Sequence, residues 1–354
     1  MARPVTVRDV ARVAEVSIST VSRVLNNQGN TKDDVRERVL KAASELGYHK
    51  QITQNPLYRT TEKTLQDIGF LLDYSGVDEP TLDTFWARIL HGAESEALKH
   101  NIHVTYQGIR HNQTSYDLMT MFLAMRAGGF MLVGPSGRDT IGLLQQTELP
   151  FVLVDNYLRL PGQPLETVMA DNFEGAREAV NYLISQGHQR IALLDAYILT
   201  GARQRNIIYT FERRKDGYLA ALREAGLPMY PTLIEACDLG RIDDVYAACQ
   251  RLLNAGVPFS ALFCVSDATA MMAIRALREQ GRRIPEDISI IGFDDIEMAE
   301  HLTPALTTVH VNKETMGAIA VKRLLERFSA PLATGLTTIV DVSLVKRASV
   351  LPYR

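Results

Sequence analysis

Between Val16 and Asn26 the side chains divide into two sets. Val21, Val24 and Leu25 share one face of a short helix, while Ile18, Ser19 and Arg23 point away from it. Ile18 can touch a thymine methyl, the Ser19 hydroxyl can bond several bases, and Arg23 can reach guanine or a phosphate. Thr6, Thr20, Ser22 and Asn26 are short polar groups suited to phosphate oxygens. Ser17, immediately before the helix, is a good N-cap. The chemistry implied is reading of a nucleic-acid duplex. On spacing alone the same residues also suit a small helical bundle whose Ser and Thr merely cap and whose Arg is solvated.

Catalytic and metal-binding patterns are missing from the sequence. Ser136 in Gly134-Pro135-Ser136-Gly137 lacks the GxSxG spacing of a nucleophile elbow. No GxxxxGK[ST] phosphate loop and no GxGxxG opening a helix occurs. His100 and His103 lie on a polar segment without an HExxH pattern. No enzyme activity, metal or cofactor is therefore expected. Cys237, Cys249 and Cys264 share no CxxC spacing and are odd in number, as expected of buried free thiols. The N-terminus shows no apolar run with a small-residue cleavage site, and no apolar stretch is long enough to cross a bilayer, which points to a cytoplasmic protein with no membrane partner.

The elements that must position Ile18, Ser19 and Arg23 are three short helices. Thr6 and Asp9 form a capping-box pattern, and Val7, Val10, Ala11 and Ala14 fall on one stripe. Glu15-Val16 makes a turn, Asn26-Asn27-Gln28-Gly29 breaks the second helix, and a third carries Val35, Val39, Ala42, Ala43 and Leu46 up to Gly47. Two helices joined by a tight turn and braced by a third make a helix-turn-helix, whose second helix enters the major groove. Charge supports a polyanion contact at this end. Residues 1–60 carry ten Lys or Arg against six Asp or Glu, net +4, while the whole 354-residue chain is −3.

Beyond residue 66 short apolar runs alternate with amphipathic stretches. Runs 68–72, 130–133, 151–154, 190–194, 261–265 and 288–293 read as buried parallel strands, and 86–100, 173–186 and 267–280 as helices, two of them closed by Gly187 and Gly281. This alternation predicts a doubly wound α/β architecture, which binds ligands at the carboxyl ends of its strands. Asp267 directly follows a strand and opens a helix. There it can accept two hydroxyls of a ligand, or serve only as an N-cap.

The run Thr6-Val7-Arg8-Asp9-Val10-Ala11 and the run from Val16-Ser17-Ile18-Ser19 to Leu25-Asn26, with Glu45-Leu46-Gly47-Tyr48 after them, resemble the headpiece of the lactose-repressor (LacI/GalR) family. Gly187-His188-Gln189-Arg190-Ile191-Ala192, Ser266-Asp267-Ala268, Ile284–Asp295, Leu306-Thr307-Thr308-Val309 and Val342–Arg347 extend the resemblance over nearly the whole chain. It implies an all-α three-helix helix-turn-helix headpiece (1–47), a hinge or linker (48–66) and an α/β two-lobed periplasmic-binding-protein-like core (67–354), with three crossings between lobes. Ile18 and Ser19 then take the main base-reading positions, with Arg23 a third. Leu57 stands at the spacing of the family's minor-groove leucine, but Pro56 precedes it and the usual Arg-Pro-Asn run is absent, a departure that disfavours a helix there. Arg214, three residues before Gly217-Tyr218, matches the cleft arginine, despite sitting in a charge-rich run typical of a solvated helix face. Phe85 and Trp86 match aromatic ligand contacts, and Tyr74 and Asp155 are further candidates. Asp294-Asp295 falls at a strand-end turn and reads as structural. The function implied is a repressor of carbohydrate-utilisation genes, controlled by a sugar or sugar derivative. A homodimer binding a palindromic double-stranded DNA operator follows, and the absence of a heptad pattern argues against a tetramer.

Overall fold

A computed structural model describes residues 6–25, 35, 38–39, 42, 65–73, 84–110, 112–158, 165–199, 205–206, 208–239, 241–330 and 334–353. The described residues fall into two compact units, one holding the N-terminal helices together with 113–124, the other holding the rest. Asn26, Tyr74, Leu57 and nearly all of the expected linker lie outside the described residues.

In the first unit, α1 (Val7–Val13) and α2 (Ile18–Leu25) are joined by a turn whose Glu15 adopts a left-handed backbone, φ 54°. The capping box at Thr6 and Asp9 forms, the Asp9 carboxylate accepting from the Thr6 amide at 2.9 Å and from its hydroxyl at 2.6 Å. The Val16 amide reaches back to the Ala11 carbonyl at 3.0 Å, which closes α1 in the manner of a Schellman motif. Val10, Ala11, Ala14, Val21 and Val24 are buried together with Val39 and Ala42, and Val35, Arg38, Val39 and Ala42 are themselves helical. Among the described residues, the predicted stripes are thus the faces that meet.

The second unit alternates strands and helices. In chain order they are β1 (Asp67–Asp73), α3 (Thr84–Leu98), β2 (His103–Ile109), β3 (Gly129–Val133), α5 (Arg138–Gln146), β4 (Phe151–Val154), β5 (Glu166–Ala170), α6 (Asn172–Ser185), β6 (Ile191–Leu199), β7 (Arg205–Asn206), α7 (Tyr209–Glu224), β8 (Ile234–Asp238), α8 (Ile242–Leu253), β9 (Ala261–Cys264), α9 (Asp267–Glu279), β10 (Ser289–Ile291), α10 (Met298–His301), β11 (Thr308–Val311), α11 (Lys313–Ser329), β12 (Thr337–Val340) and β13 (Val342–Val345). Between β2 and β3 the chain runs through α4 (Ser115–Ala124), which groups with the first unit.

The first sheet is parallel throughout, in the order β12-β5-β4-β3-β1-β2. The second is parallel in β10-β9-β6-β8, with β7 turned back antiparallel on the far end of β6. Every strand predicted from an apolar run is present, because strands covered on both faces must be apolar at every position. After β5 the chain passes to the second sheet, it returns for β12, and it leaves again for β13, which pairs antiparallel with β11. Gly187 and Gly281 sit just past α6 and α9 with φ of 90° and 79°, as C-terminal caps require. Cys237, Cys249 and Cys264 are buried free thiols.

Helices α3 and α11 pack backbone to backbone. A Cβ built on Gly92 would lie 2.1 Å from the Glu314 carbonyl oxygen, and one on Gly317 would lie 2.0 Å from that of Ile89. Neither neighbour is a side chain that can rotate away. Gly317→Ala should therefore force the helices apart and cost about 1–3 kcal/mol of stability, read by urea denaturation. An unchanged midpoint would mean that the contact is looser than described.

Candidate functional site

At the start of α2 the Ser17 hydroxyl accepts from the Thr20 amide at 3.1 Å, so Ser17 is the N-cap. Ser19 Oγ and Thr20 Oγ1 each lie 2.8 Å from Ser17 Oγ, and the three hydroxyls form one hydrogen-bonded group at the helix N-terminus. Burial of Val21 and Val24 turns Ile18, Ser19, Ser22 and Arg23 to the outside, with Thr20 half-buried. Ile18 is 49% exposed. An isoleucine so placed does nothing for the core, whereas it offers an apolar contact beside hydroxyls and a guanidinium. Arg23 Nε lies 3.4 Å from the Ser19 carbonyl, which keeps the side chain along the same face. Thr6 is half-buried at the start of α1.

In the second unit the most heavily used side chain is Arg214, on α7. It is not on a solvated face, being only 1% exposed. Its Nε donates to Asn172 Oδ1 at 2.8 Å, Nη1 to the Val265 carbonyl at 2.6 Å, and Nη2 pairs with Asp294 Oδ1 at 2.8 Å. The guanidinium lies over the Phe293 ring, 3.8 Å from its centroid. These partners come from the start of α6, the end of β9 and the turn after β10, the carboxyl-end geometry expected of the fold. A buried charge survives only when paired and hydrogen-bonded, and here it is both.

Asp294 thus does more than shape a turn. It holds Arg214, while Asp295 pairs with Arg347 at 2.7 Å and His310 at 2.8 Å, the structural use expected of the two. Both aspartates have left-handed backbones, φ 113° and 50°. Lys313, buried at the start of α11, fastens this turn by donating to the carbonyls of Asp294, Asp295 and Val311.

Asp267 is not the cap of α9; Ser266 is, accepting from the Thr269 amide at 3.2 Å. The Asp267 carboxylate is fully buried, accepting from the Ile296 amide at 2.9 Å and the Thr308 hydroxyl at 2.5 Å. Gly292 leaves room for it, since a Cβ there would lie 2.2 Å from Asp267 Oδ1. Burial, and then the negative charge of Asp294, push its carboxyl up to about 8 against the pull of those two bonds. Asp155, just past β4, is buried with Oδ1 lacking a hydrogen-bond partner among the described residues. Burial lifts it to about 7, with Arg214 drawing it down and Asp294 pushing it up. Phe85 is buried and meets Trp86 edge-on at 4.8 Å. Trp86 is half-buried, its indole running along Gly134, where a Cβ would sit 3.8 Å from it.

The structure therefore gathers Arg214, Asp267, Asp294 and Asp155 about one cluster and sets Trp86 beside the neighbouring strand end. Asn172, Asp294 and Lys313 were not anticipated as members. Asp294 carried the same strand-end signal as Asp267; Asn172 and Lys313 carried none. Among the described residues no group of three side chains has the arrangement to hold a metal, and no helix is long and apolar enough to cross a membrane.

Residues 6–51 match the family described as bacterial regulatory proteins, lacI family, and residues 180–350 match the periplasmic binding protein-like domain. The HTH-type transcriptional repressor CytR of Escherichia coli (strain K12) is 31% identical over 345 residues, covering 97% of this chain and 96% of that protein. The chain belongs to the LacI family. Among solved structures, the transcriptional regulator CelR–cellobiose complex superposes with TM-score 0.72 at 27% identity, covering 98% of this chain and all of that one. The lac repressor dimer bound to operator and the anti-inducer ONPF gives TM-score 0.66 at 26% identity over 99% of this chain and all of that one. The expected architecture, a helix-turn-helix followed by a two-lobed α/β core, is that of these LacI-family proteins, and members of the family are transcription regulators.

Asp267 and Asp155 hold protons in the folded chain that they would lose unfolded, their folded values standing near 8 and 7 against an ordinary 3.8. Their contribution to stability is complete below the unfolded value and is lost as pH rises toward the folded ones. Asp267→Asn should accordingly flatten the decline in unfolding free energy between about pH 4 and pH 8, measured by urea denaturation across that range. An equally steep decline in the variant would place the titration elsewhere.

Proposed function

We propose that this chain is a cytoplasmic repressor of carbohydrate-utilisation genes, with no catalytic activity, whose operator affinity is set by a sugar or sugar derivative. Two copies form a homodimer and present two headpieces to successive half-sites of a palindromic operator, as two-fold symmetry demands. Ile18, Ser19 and Arg23 read base edges, while Thr6, Ser17, Thr20, Ser22 and Asn26 position the helix on phosphates, and Leu57 wedges into the minor groove. The effector lies at Arg214, Asp267, Phe85 and Trp86, joined by Asp155 and Asp294. The headpiece, the linker and the core act as separate units along the boundaries given above.

One observation carries this reading: α2 presents Ile18, Ser19, Ser22 and Arg23 outward on the same chain whose core buries a set of polar groups at its strand ends. Support for an effector comes from the cellobiose held by CelR, and for a dimer on operator DNA from the lac repressor complex. Effector and operator affinities are coupled by one free energy, so each must alter the other by the same factor.

The test begins by selecting DNA from a random pool with the full-length chain. A palindrome should emerge. Arg23→Ala should weaken binding to that palindrome by about ten-fold or more while changing affinity for random DNA far less, as loss of a base contact requires. Equal losses on both DNAs would assign Arg23 to phosphates, and failure to select any palindrome would refute the reading.

A further inference from the structure

Three hydroxyls at the start of α2 have little freedom in the direction of their hydrogen bonds. A serine hydroxyl has one hydrogen to donate and two lone pairs to accept with. Ser17 Oγ has three neighbours: the Thr20 amide at 3.1 Å, Ser19 Oγ at 2.8 Å and Thr20 Oγ1 at 2.8 Å. The amide can only donate, so it takes one lone pair. One lone pair and one hydrogen remain for the two hydroxyls. Ser17 must therefore accept from one of them and donate to the other.

Ser19 and Thr20 are consequently opposite in polarity toward whatever lies outside. The one that donates inward turns only lone pairs outward, and the one that accepts inward keeps its hydrogen for a partner. Ser19 is exposed and Thr20 half-buried, so an outside partner reaches both. Duplex DNA settles the direction. Phosphate oxygens only accept, so a Thr20 hydroxyl held against a phosphate must present its hydrogen. Thr20 then accepts from Ser17, Ser17 accepts from Ser19, and the Ser19 hydrogen is used up inside the group.

Resting on the reading of α2 proposed above, we infer that Ser19 acts on DNA as a hydrogen-bond acceptor and selects a base edge that carries an exocyclic amino group. Ser17 and Thr20 are the positioning residues that impose this choice. In the major groove the amino group is N6 of adenine or N4 of cytosine. The keto oxygens of guanine and thymine and the purine N7 are acceptors, and set against Ser19 lone pairs they would leave both sides unpaired. A phosphate contact thereby carries sequence information that it does not carry alone.

The experiment uses the full-length chain and the palindrome selected from the random pool. In each half-site the adenines and cytosines would be replaced one at a time by nebularine and 2-pyrimidinone, which lack the amino group. Purines would likewise be replaced by their 7-deaza forms, which lack N7. One position should lose about five-fold or more in affinity with its amino group, and Ser19→Ala should bind both forms of that site equally. Thr20→Val keeps the side-chain shape and the Ser17 cap while freeing the Ser17 hydrogen for Ser19. Its affinity should fall on every DNA with the lost phosphate contact, while the amino penalty at that one position shrinks to about two-fold or less. A Ser19-dependent position that responds to loss of N7 and not of an amino group overturns the inference and keeps base reading. An amino penalty left intact by Thr20→Val also overturns it. A selected palindrome with no Ser19-dependent position overturns base reading by Ser19 itself, and the inference with it.

Discussion

Burying the guanidinium of Arg214 is the constraint around which the core is organised. An unpaired charge at that depth would be prohibitive, so three separate elements must deliver partners to it. Asn172 arrives at the start of α6, the Val265 carbonyl at the end of β9, and Asp294 from the turn after β10. That turn in turn demands two left-handed aspartates, and the strain is held by Lys313 and by the ladder contact of Asp294 with Val309. Asp267 is drawn in by the same requirement, because its bonds to Ile296 and Thr308 tie the turn to β11. One arginine thus links the second sheet, the crossing strands and the first turn of α11.

Much of this order was legible in the chain itself, for a physical reason. Strands buried on both faces leave no room for polar residues, so β1, β3, β4, β6, β9 and β10 stand out as apolar runs. β2 did not, because His103–Ile109 is an edge strand with most positions exposed, and its composition is that of a surface segment. β11, β12 and β13 were hidden too: each is four residues long and partly polar, and their pairing depends on segments far away in sequence. Local pattern cannot report a distant partner.

The site was half legible. Arg214 was identifiable by resemblance while its local charge pattern argued the opposite, since Glu212, Arg213, Lys215 and Asp216 surround it with surface chemistry. Only the tertiary context, with Phe293 below it and Asp294 beside it, decides between a solvated and a buried arginine. Asp294 was read as structural because a carboxylate pair at a turn usually is. Both make such pairs, Asp295 with Arg347 and His310, and Asp294 with the buried Arg214. The headpiece was more transparent, because its helices are short, its caps are local, and Val21 and Val24 alone fix which way Ser19 and Arg23 face.

The return of the chain to the first sheet has a consequence for biosynthesis. Thr337 to Val340 pair with Thr167 to Ala170, so the outer strand of that sheet is supplied by a segment made long after its partner. Until then β5 presents an open edge, and Glu166 at its start waits for Arg323, Arg327 and the Leu336 amide. Such distant pairing slows folding and leaves an adhesive strand edge uncovered during translation. A nascent chain interrupted before residue 337 would carry complete N-terminal helices beside a core whose first sheet still lacks its outer strand, a state prone to misassembly.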